Sequence, residues 1–387
     1  MSVVSRTGLR ALLRWLHRWL GLTLGLLFVL VALSGSLLLF QAQYFEWAHG
    51  ELIPDDLADA PGSVDAWVAN ARAVVPDHGE PVAIWRPHVA HNVSDAGMLV
   101  FAGGEPGGLG NMGLTAVLVA PATAEVLGVV DVDRSPGWAP LFLHRDLWAG
   151  ETGRIVSGVM AVGALVMLLI GLYLWWPSWR HIGRKLSPRP WRSLKNAMRL
   201  HDWLGVWTLV LLSVVTATGL YLVRPAWVEP ALALLPDPEH DPAAGKSCGA
   251  PIGFDAAIAA ARGLAPGRDW TAIYPEDHPG RWAIGFKAGG DTDRAHGDVW
   301  VYADLSCGIV ALYQTRATRS PRDTVKRWLE GLHDGSILGT PGEVLVALLG
   351  LIPAVLYVTG FIVWLRRRRA SQRRPAVTPL AQRGRAL

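Results

Sequence analysis

The sequence has few charged residues and almost no cysteine, and both shortages narrow the class of protein. Only 18% of its 387 residues are Asp, Glu, Lys or Arg, whereas 51% are hydrophobic, which is unusual for a soluble protein. The two cysteines form no CxxC or CxxCH motif, so a thiolate metal site and covalent c-type haem are unlikely on these residues. The glycine-rich stretch 103–110 precedes no predicted helix and is a poor phosphate cradle.

Four long apolar runs account for the hydrophobic excess, and none contains an Asp, Glu, Lys or Arg. They extend over residues 20–40, 155–176, 203–223 and 344–365. Each is close to the roughly 20 residues that a helix needs to cross a hydrocarbon core, so we predict four transmembrane helices. The first run is longer than the roughly 7 to 15 residues of a signal-peptide core, and we expect it to be retained rather than cleaved.

Three stretches of the chain contain several Lys or Arg residues and no Asp or Glu. They are residues 6–18 before the first run, 180–199 between the second and third runs, and 366–387 after the fourth. Such a bias places all three in the cytoplasm and the intervals between them on the other side of the membrane. The high pI therefore reflects topology and implies no nucleic acid. The predicted divisions are 1–42, 43–152, 153–224, 225–340 and 341–387.

The two halves of the chain repeat the same motifs at the same spacing. Each half contains a histidine at the start of a helix, a glycine 18 residues later, a second histidine before the next helix, and a glycine 27 residues after that. The matched positions are His17 and His201, Gly35 and Gly219, His144 and His333, and Gly171 and Gly360. We therefore predict two parallel repeats, related by an axis along the membrane normal.

The two outside intervals have the pattern of one small α+β unit, present twice. Helical periodicity at 64–75 and at 254–264 precedes four strand-like runs in each unit. The first unit's runs are 82–86, 98–101, 114–119 and 126–130; the second unit's are 270–274, 282–286, 299–303 and 309–313. Cys248 and Cys307 both lie in the second unit, where an oxidising compartment favours a disulfide.

Four histidines at matched depth are the candidate functional residues. His17 and His201 lie at the cytoplasmic ends of the first and third helices, and His144 and His333 lie just outside the second and fourth. Two imidazoles at each membrane face suit a haem with two axial histidines. Zinc is the competing metal, but two ligands per face fall short of its usual four. Arg18, Arg145, Arg154 and Arg199 are candidate partners for haem propionates.

These residues resemble the PepSY-associated transmembrane proteins and, within them, the inner-membrane ferric-siderophore reductases of Gram-negative bacteria. The resemblance rests on the two helix-opening histidine motifs, on the LHRDLWAGETGR segment that contains His144, and on the strand-turn-strand ends of the outside units. It covers nearly the whole chain, to about residue 370. Glu343 departs from it, because the matching position in the first half is Arg154.

The resemblance implies a multi-pass protein of the bacterial inner membrane, with both termini in the cytoplasm, PepSY-like domains in the periplasm and haem b, two per chain. His17 and His201 would hold the cytoplasmic-side haem, and His144 and His333 the periplasmic-side haem. Electrons would reach ferric siderophores and release iron as Fe(II). The basic segments are too short to fold a flavin or nicotinamide domain, so the electron donor would be a separate cytoplasmic or membrane component.

Three other functions remain open from the sequence. The helices could carry electrons through haem to a different acceptor. They could instead only anchor the outside domains, which would bind or inhibit another protein without haem. A permease for iron complexes is the third, but four helices without a charged residue in their apolar runs offer little polar pathway.

Overall fold

The computed structural model describes residues 6–57, 62–89, 94–103, 112–176, 197–237, 242–276, 279–291 and 296–372. Most of the basic segment between the second and third runs, the arginines after residue 372 and most of the glycine-rich stretch lie outside the described residues. The helices are α1 Arg6–Leu37, α2 Gln41–His49, α3 Val64–Val74, α4 Ala139–Asp146, α5 Gly150–Trp175, α6 Ala197–Trp207, α7 Leu209–Val223, α8 Pro225–Leu232, α9 Phe254–Leu264, α10 Pro321–Asp334, α11 Thr340–Leu349 and α12 Ile352–Gln372. Short 3₁₀ helices are Leu38–Phe40, Gly50–Leu52, Pro136–Trp138 and Ser336–Leu338.

Three continuous helical stretches and one bent pair are apolar and long enough to cross a membrane. The continuous stretches are Gly8–Leu52, Gly150–Trp175 and Thr340–Ala370, and the bent pair is α6 with α7. The pair bends by 63° around Thr208, whose hydroxyl donates to the carbonyl of Leu204 at 2.7 Å. A threonine hydroxyl that bonds back to the preceding turn commonly bends a helix. Four spans therefore exist if the bent pair counts as one.

The long helices form a bundle in which elements from both halves of the chain touch. Helix α1 packs against α5 and α12, α5 packs against α7, and α6 packs against α12. Each half also contributes a shorter helix at one end of the bundle: α4 packs on α1 and α5, and α10 packs on α7. This end of the bundle adjoins the sheet, because α2 and α4 also contribute to the apolar core beneath it.

The strands of the two outside intervals form one antiparallel sheet of eight strands. They are β1 Pro81–Trp85, β2 Gly97–Ala102, β3 Leu114–Val119, β4 Val126–Asp131, β5 Asp269–Pro275, β6 Arg281–Lys287, β7 Val299–Asp304 and β8 Ile309–Gln314. Their order is β4-β3-β2-β1-β5-β6-β7-β8. At the centre, β1 pairs with β5, with Ile84 opposite Ile273 and Trp85 opposite Ala272. The two intervals thus share a sheet, while the domain boundaries at 43–152 and 225–340 stay predictions.

Helices α3 and α9 cover one face of this sheet and cap each other. Asp65 accepts hydrogen bonds from the backbone amides of Phe254, at 2.8 Å, and Asp255, at 3.1 Å. Asp255 in turn accepts from the amide of Val64 at 2.7 Å and from the hydroxyl of Ser63. A carboxylate beside the first turn of a helix satisfies amides that lack an intrahelical partner. The exchange ties the two halves together over a common apolar core.

The opposite face of the sheet differs between the halves. Under β2 and β3, Phe45, Trp138 and Phe142 complete a second apolar core. Under β5 and β7, the rings of Tyr274, His296 and Trp300 lie together, and the guanidinium of Arg327 on α10 lies 4.8 Å from the centre of the Trp300 ring. The predicted disulfide between Cys248 and Cys307 is present; it joins the segment before α9 to the turn between β7 and β8.

Candidate functional site

Two histidines meet at the end of the bundle that adjoins the sheet. His144 lies on α4 and His333 on α10, and both helices lie outside the candidate spans. Their Nε2 atoms are 3.5 Å apart. We call them the sheet-side pair. The sequence predicted their matched depth, and the structure brings the two side chains together.

The ring nitrogens of the sheet-side pair have distinct roles. Nδ1 of His144 donates to the carbonyl of Val31 at 2.7 Å, and Nδ1 of His333 donates to the carbonyl of Val215 at 2.9 Å. Burial lowers the pKa of both imidazoles, so each ring is neutral and has one proton, which the carbonyl acceptor fixes on Nδ1. Both Nε2 atoms therefore present lone pairs to each other. A cation between the two Nε2 atoms would accept both lone pairs.

A second pair of histidines meets at the opposite end of the bundle, which we call the basic-end pair. The ring centres of His17 and His201 are 6.2 Å apart and the ring planes are nearly perpendicular, at 87°. Nδ1 of His17 lies 3.2 Å from the carbonyl oxygen of Met167, and Nδ1 of His201 lies 3.0 Å from that of Leu356. With the Nδ1 proton of each ring directed at a carbonyl, each Nε2 keeps its lone pair and can act as a ligand.

All four histidines pack against a glycine that lies one helical turn after the carbonyl acceptor. The histidine and glycine pairs are His144 with Gly35, His333 with Gly219, His17 with Gly171, and His201 with Gly360. A methyl group at Gly35 or Gly219 would lie 2.6 or 2.7 Å from the imidazole Cε1, whereas at Gly171 and Gly360 the distances are 3.2 and 3.6 Å. The repeated glycine spacing in the sequence therefore marks the docking positions of the four rings.

A cavity of about 890 Å³ contains the basic-end pair, which is within the usual range of small-molecule sites, about 300 to 1,000 Å³. Small residues widen it between the helices, and arginines lie around it. The small residues are Gly21, Gly25, Gly171, Gly205 and Gly360, and the arginines are Arg10, Arg14, Arg18, Arg367 and Arg368. Sequence reasoning selected only Arg18 from this group. The spacing of Arg10, Arg14 and Arg18 places them on one helix face and could have indicated the others.

The other three predicted arginines have different surroundings. Arg199 is exposed and does not line the cavity. Arg145 donates to the buried carboxylate of Asp146 at 2.7 and 3.0 Å, next to His144 in the chain. One nitrogen of Arg145 also lies 2.8 Å from the sulfur of Met112, and one of Arg154 lies 3.8 Å from the same sulfur. A thioether is a weak acceptor for two cations, so these arginines have capacity for an anion beside Met112.

The two pairs are separated along the length of α1. His17 and Val31, the acceptor of His144, lie on the same helix and are fourteen residues apart, which corresponds to about 21 Å. Among the described residues, no group of three or more His, Cys, Asp or Glu side chains could hold a metal ion. Each end thus offers two nitrogen ligands. That number suits an iron whose remaining ligands come from a porphyrin, and it does not suit four-coordinate zinc.

The fold and the site define a membrane protein with a helical bundle, an attached antiparallel sheet and paired histidines at both ends of the bundle. The chain matches the model of the PepSY-associated TM region over residues 14–367 and belongs to that family. No curated protein matches the chain significantly.

Proposed function

We propose that the protein is a b-type haem oxidoreductase of the bacterial inner membrane, which passes electrons to ferric siderophores in the periplasm. The observation that carries the proposal is the pair of facing Nε2 atoms of His144 and His333, 3.5 Å apart, with both Nδ1 protons held by carbonyls. Two metal–imidazole bonds of roughly 2 Å each need about 4 Å between the nitrogens, so a small separation of α4 and α10 would admit an iron.

The chain would hold one haem at each end of the bundle. His144 and His333 would bind the periplasmic-side haem, and His17 and His201 the cytoplasmic-side haem. The two histidines at each end would supply the protein's nitrogen ligands, and the bound haem would supply one-electron transfer chemistry. The carbonyls of Val31 and Met167 hold the ring orientation, and a carbonyl acceptor at Nδ1 also makes the ligand more basic.

The arginines would pair with the propionate groups. Arg18 and the other cavity arginines line the cavity of the basic-end pair, and Arg145 and Arg154 converge on Met112. Guanidinium groups bind carboxylates through two parallel hydrogen bonds. Buried Asp146 would weaken propionate binding at the sheet side, because its carboxylate already forms an ion pair with Arg145.

The proposed reaction is the transfer of one electron to each bound Fe(III), which becomes Fe(II). Hard anionic oxygen ligands hold Fe(III) tightly and Fe(II) less tightly, so reduction releases the iron without breaking a covalent bond. The electron comes from a separate donor on the cytoplasmic side or in the membrane. This orientation follows from the acid-free basic segments, which we expect to face the cytoplasm with both termini. The matched histidine and glycine contacts support the two-repeat layout.

An absorption spectrum of the detergent-purified protein, oxidised and then reduced with dithionite, tests the proposal. We expect low-spin b-type bands and about two haems per chain from the two histidine pairs. The variant His333→Ala should lose one haem and keep the other, while His88→Ala, a change at an exposed histidine that pairs with Asp95, should keep both. A colourless protein from haem-supplemented cells would contradict the proposal. Reoxidation of the reduced protein by a panel of ferric siderophores, with ferric citrate for comparison, tests the substrate.

A further inference from the structure

The four histidine docking positions differ in the residue that precedes the glycine. Those residues are Ser34, Ile170, Thr218 and Thr359. At the basic end, the two positions have opposite chemistry, because one side chain is aliphatic and the other has a hydroxyl group. The otherwise matched pair, His17 and His201, therefore has unequal surroundings.

Thr359 presents an acceptor to His201. Its side chain is buried, and its hydroxyl lies 2.7 Å from the carbonyl oxygen of Val355 and 3.0 Å from that of Leu356. Because the hydroxyl proton points to these carbonyls, an oxygen lone pair remains for the Nδ1–H of His201, 3.1 Å away. That proton is thus shared between the Leu356 carbonyl, at 3.0 Å, and the threonine.

Among the described residues, His17 has one acceptor at Nδ1 where His201 has two. Its Nδ1 lies 3.2 Å from the carbonyl oxygen of Met167, and the residue at the position equivalent to Thr359 is Ile170. A second acceptor at Nδ1 draws the proton further from the ring and makes Nε2 a stronger electron donor. A stronger axial donor stabilises ferric over ferrous iron and lowers the reduction potential.

We propose that Thr359 is a positioning residue that strengthens His201 as an axial ligand and lowers the reduction potential at the basic end of the bundle. The inference rests on the proposed haem function. A low potential at this end would favour onward transfer to the sheet-side pair. Thr218 makes a longer contact of the same kind with His333, at 3.3 Å, so its effect should be smaller.

Reciprocal exchange of the two residues tests this inference. Thr359→Ile copies the first half and should raise the midpoint potential of one haem in a spectroelectrochemical titration, leaving the other unchanged. Thr359→Ser keeps the hydroxyl and should keep the potential of the unaltered protein. Ile170→Thr supplies the missing acceptor to His17 and should lower the potential of the same haem. It also tests the idea if Thr359→Ile fails to fold.

The outcomes separate the inference from the proposed function. If neither the unaltered protein nor any of the variants binds haem, the proposed function is wrong. If haem is bound at the full ratio and neither Thr359→Ile nor Ile170→Thr moves a midpoint potential, Thr359 is only a packing residue and the inference is wrong. An equal shift of both haems would also contradict it, because the contact reaches one pair alone.

Discussion

The two halves of the eight-stranded sheet have matching strand orders, and each is covered on one face by its own helix, α3 or α9. The opposite face has different chemistry in the two halves. Under the first half, Met98, Val100 and Leu118 pack against Phe142 of α4 in an apolar core. Under the second half, polar and aromatic side chains occupy the face, and the buried indole nitrogen of Trp300 has no hydrogen-bond partner in the described part of the chain. A duplicated fold can keep one copy for stability and leave the other for interaction, where local rules are broken more often.

The histidine positions show a second difference, between the two ends of the bundle. At the sheet side, each ring lies so close to Gly35 or Gly219 that a methyl group would overlap it, whereas the basic end leaves ordinary contact distance at Gly360. The sheet-side rings come from helices separate from the spans. Close packing against Gly35 and Gly219 therefore holds the imidazole rings of the sheet-side pair in position.

The largest expected effect is the loss of the proposed sheet-side haem in Gly35→Ala. The new methyl group would lie 2.6 Å from Cε1 of His144, so the ring must leave its position and Nδ1 loses the Val31 carbonyl. We expect one of the two proposed haems to be absent by pyridine haemochrome assay. Gly360→Ala is the matched control, because its methyl group meets His201 at 3.6 Å. Equal haem content in both variants would show that glycine does not distinguish the two ends.

The apolar core under the first half should make that half sensitive to truncation. Phe142 is 2% exposed, and Phe142→Ala should lower the free energy of unfolding by about 3 to 5 kcal/mol through lost burial and a residual cavity. Trp328→Ala on α10 is the control; its side chain is 46% exposed, and the cost should stay near 0.5 kcal/mol. Chemical unfolding in detergent, followed by near-UV circular dichroism, measures both. A larger loss of unfolding free energy in Trp328→Ala than in Phe142→Ala would mean that the main stabilising contacts lie under the second half.

The disulfide joins two segments of the second half. In the first half, the matching connection is a backbone hydrogen bond from Gly62 to Pro121 at 2.7 Å. The bond between Cys248 and Cys307 closes a loop of 59 residues, and removing it should cost about 4 kcal/mol if loop entropy dominates. In Cys248→Ser/Cys307→Ser, we expect faster hydrogen exchange in α9 than in α3. Uniform acceleration in both helices would mean that the sheet unfolds as one unit.

The sequence predicted the local elements closely and missed the contacts between distant segments. The predicted strand 114–119 and helix 254–264 coincide with β3 and α9, because alternation and helical periodicity are local signals. The predicted disulfide is confirmed. The pairing of β1 with β5 joins the edges of two segments that are far apart in the sequence, and no local periodicity records it.

The candidate site was predicted in part for the same reason. Repeated spacing identified the four histidines, and the structure places them in two facing pairs. The sequence could not assign each ring to a glycine on another helix, since that contact depends on helix packing. It also selected Arg199 and missed Arg367, because charge alone does not show which side of a helix faces the cavity.

The smallest expected effect concerns the contact that the two halves share. Asp65→Ala removes the acceptor of two backbone amides at the start of α9, and Asp255→Ala removes the acceptor of the Val64 amide and the Ser63 hydroxyl. Each should cost about 1 kcal/mol of unfolding free energy, which is typical of a lost helix cap. The double variant should cost less than the sum of the two single variants, because both changes loosen the same contact between α3 and α9. A fully additive loss would mean that the two caps act independently.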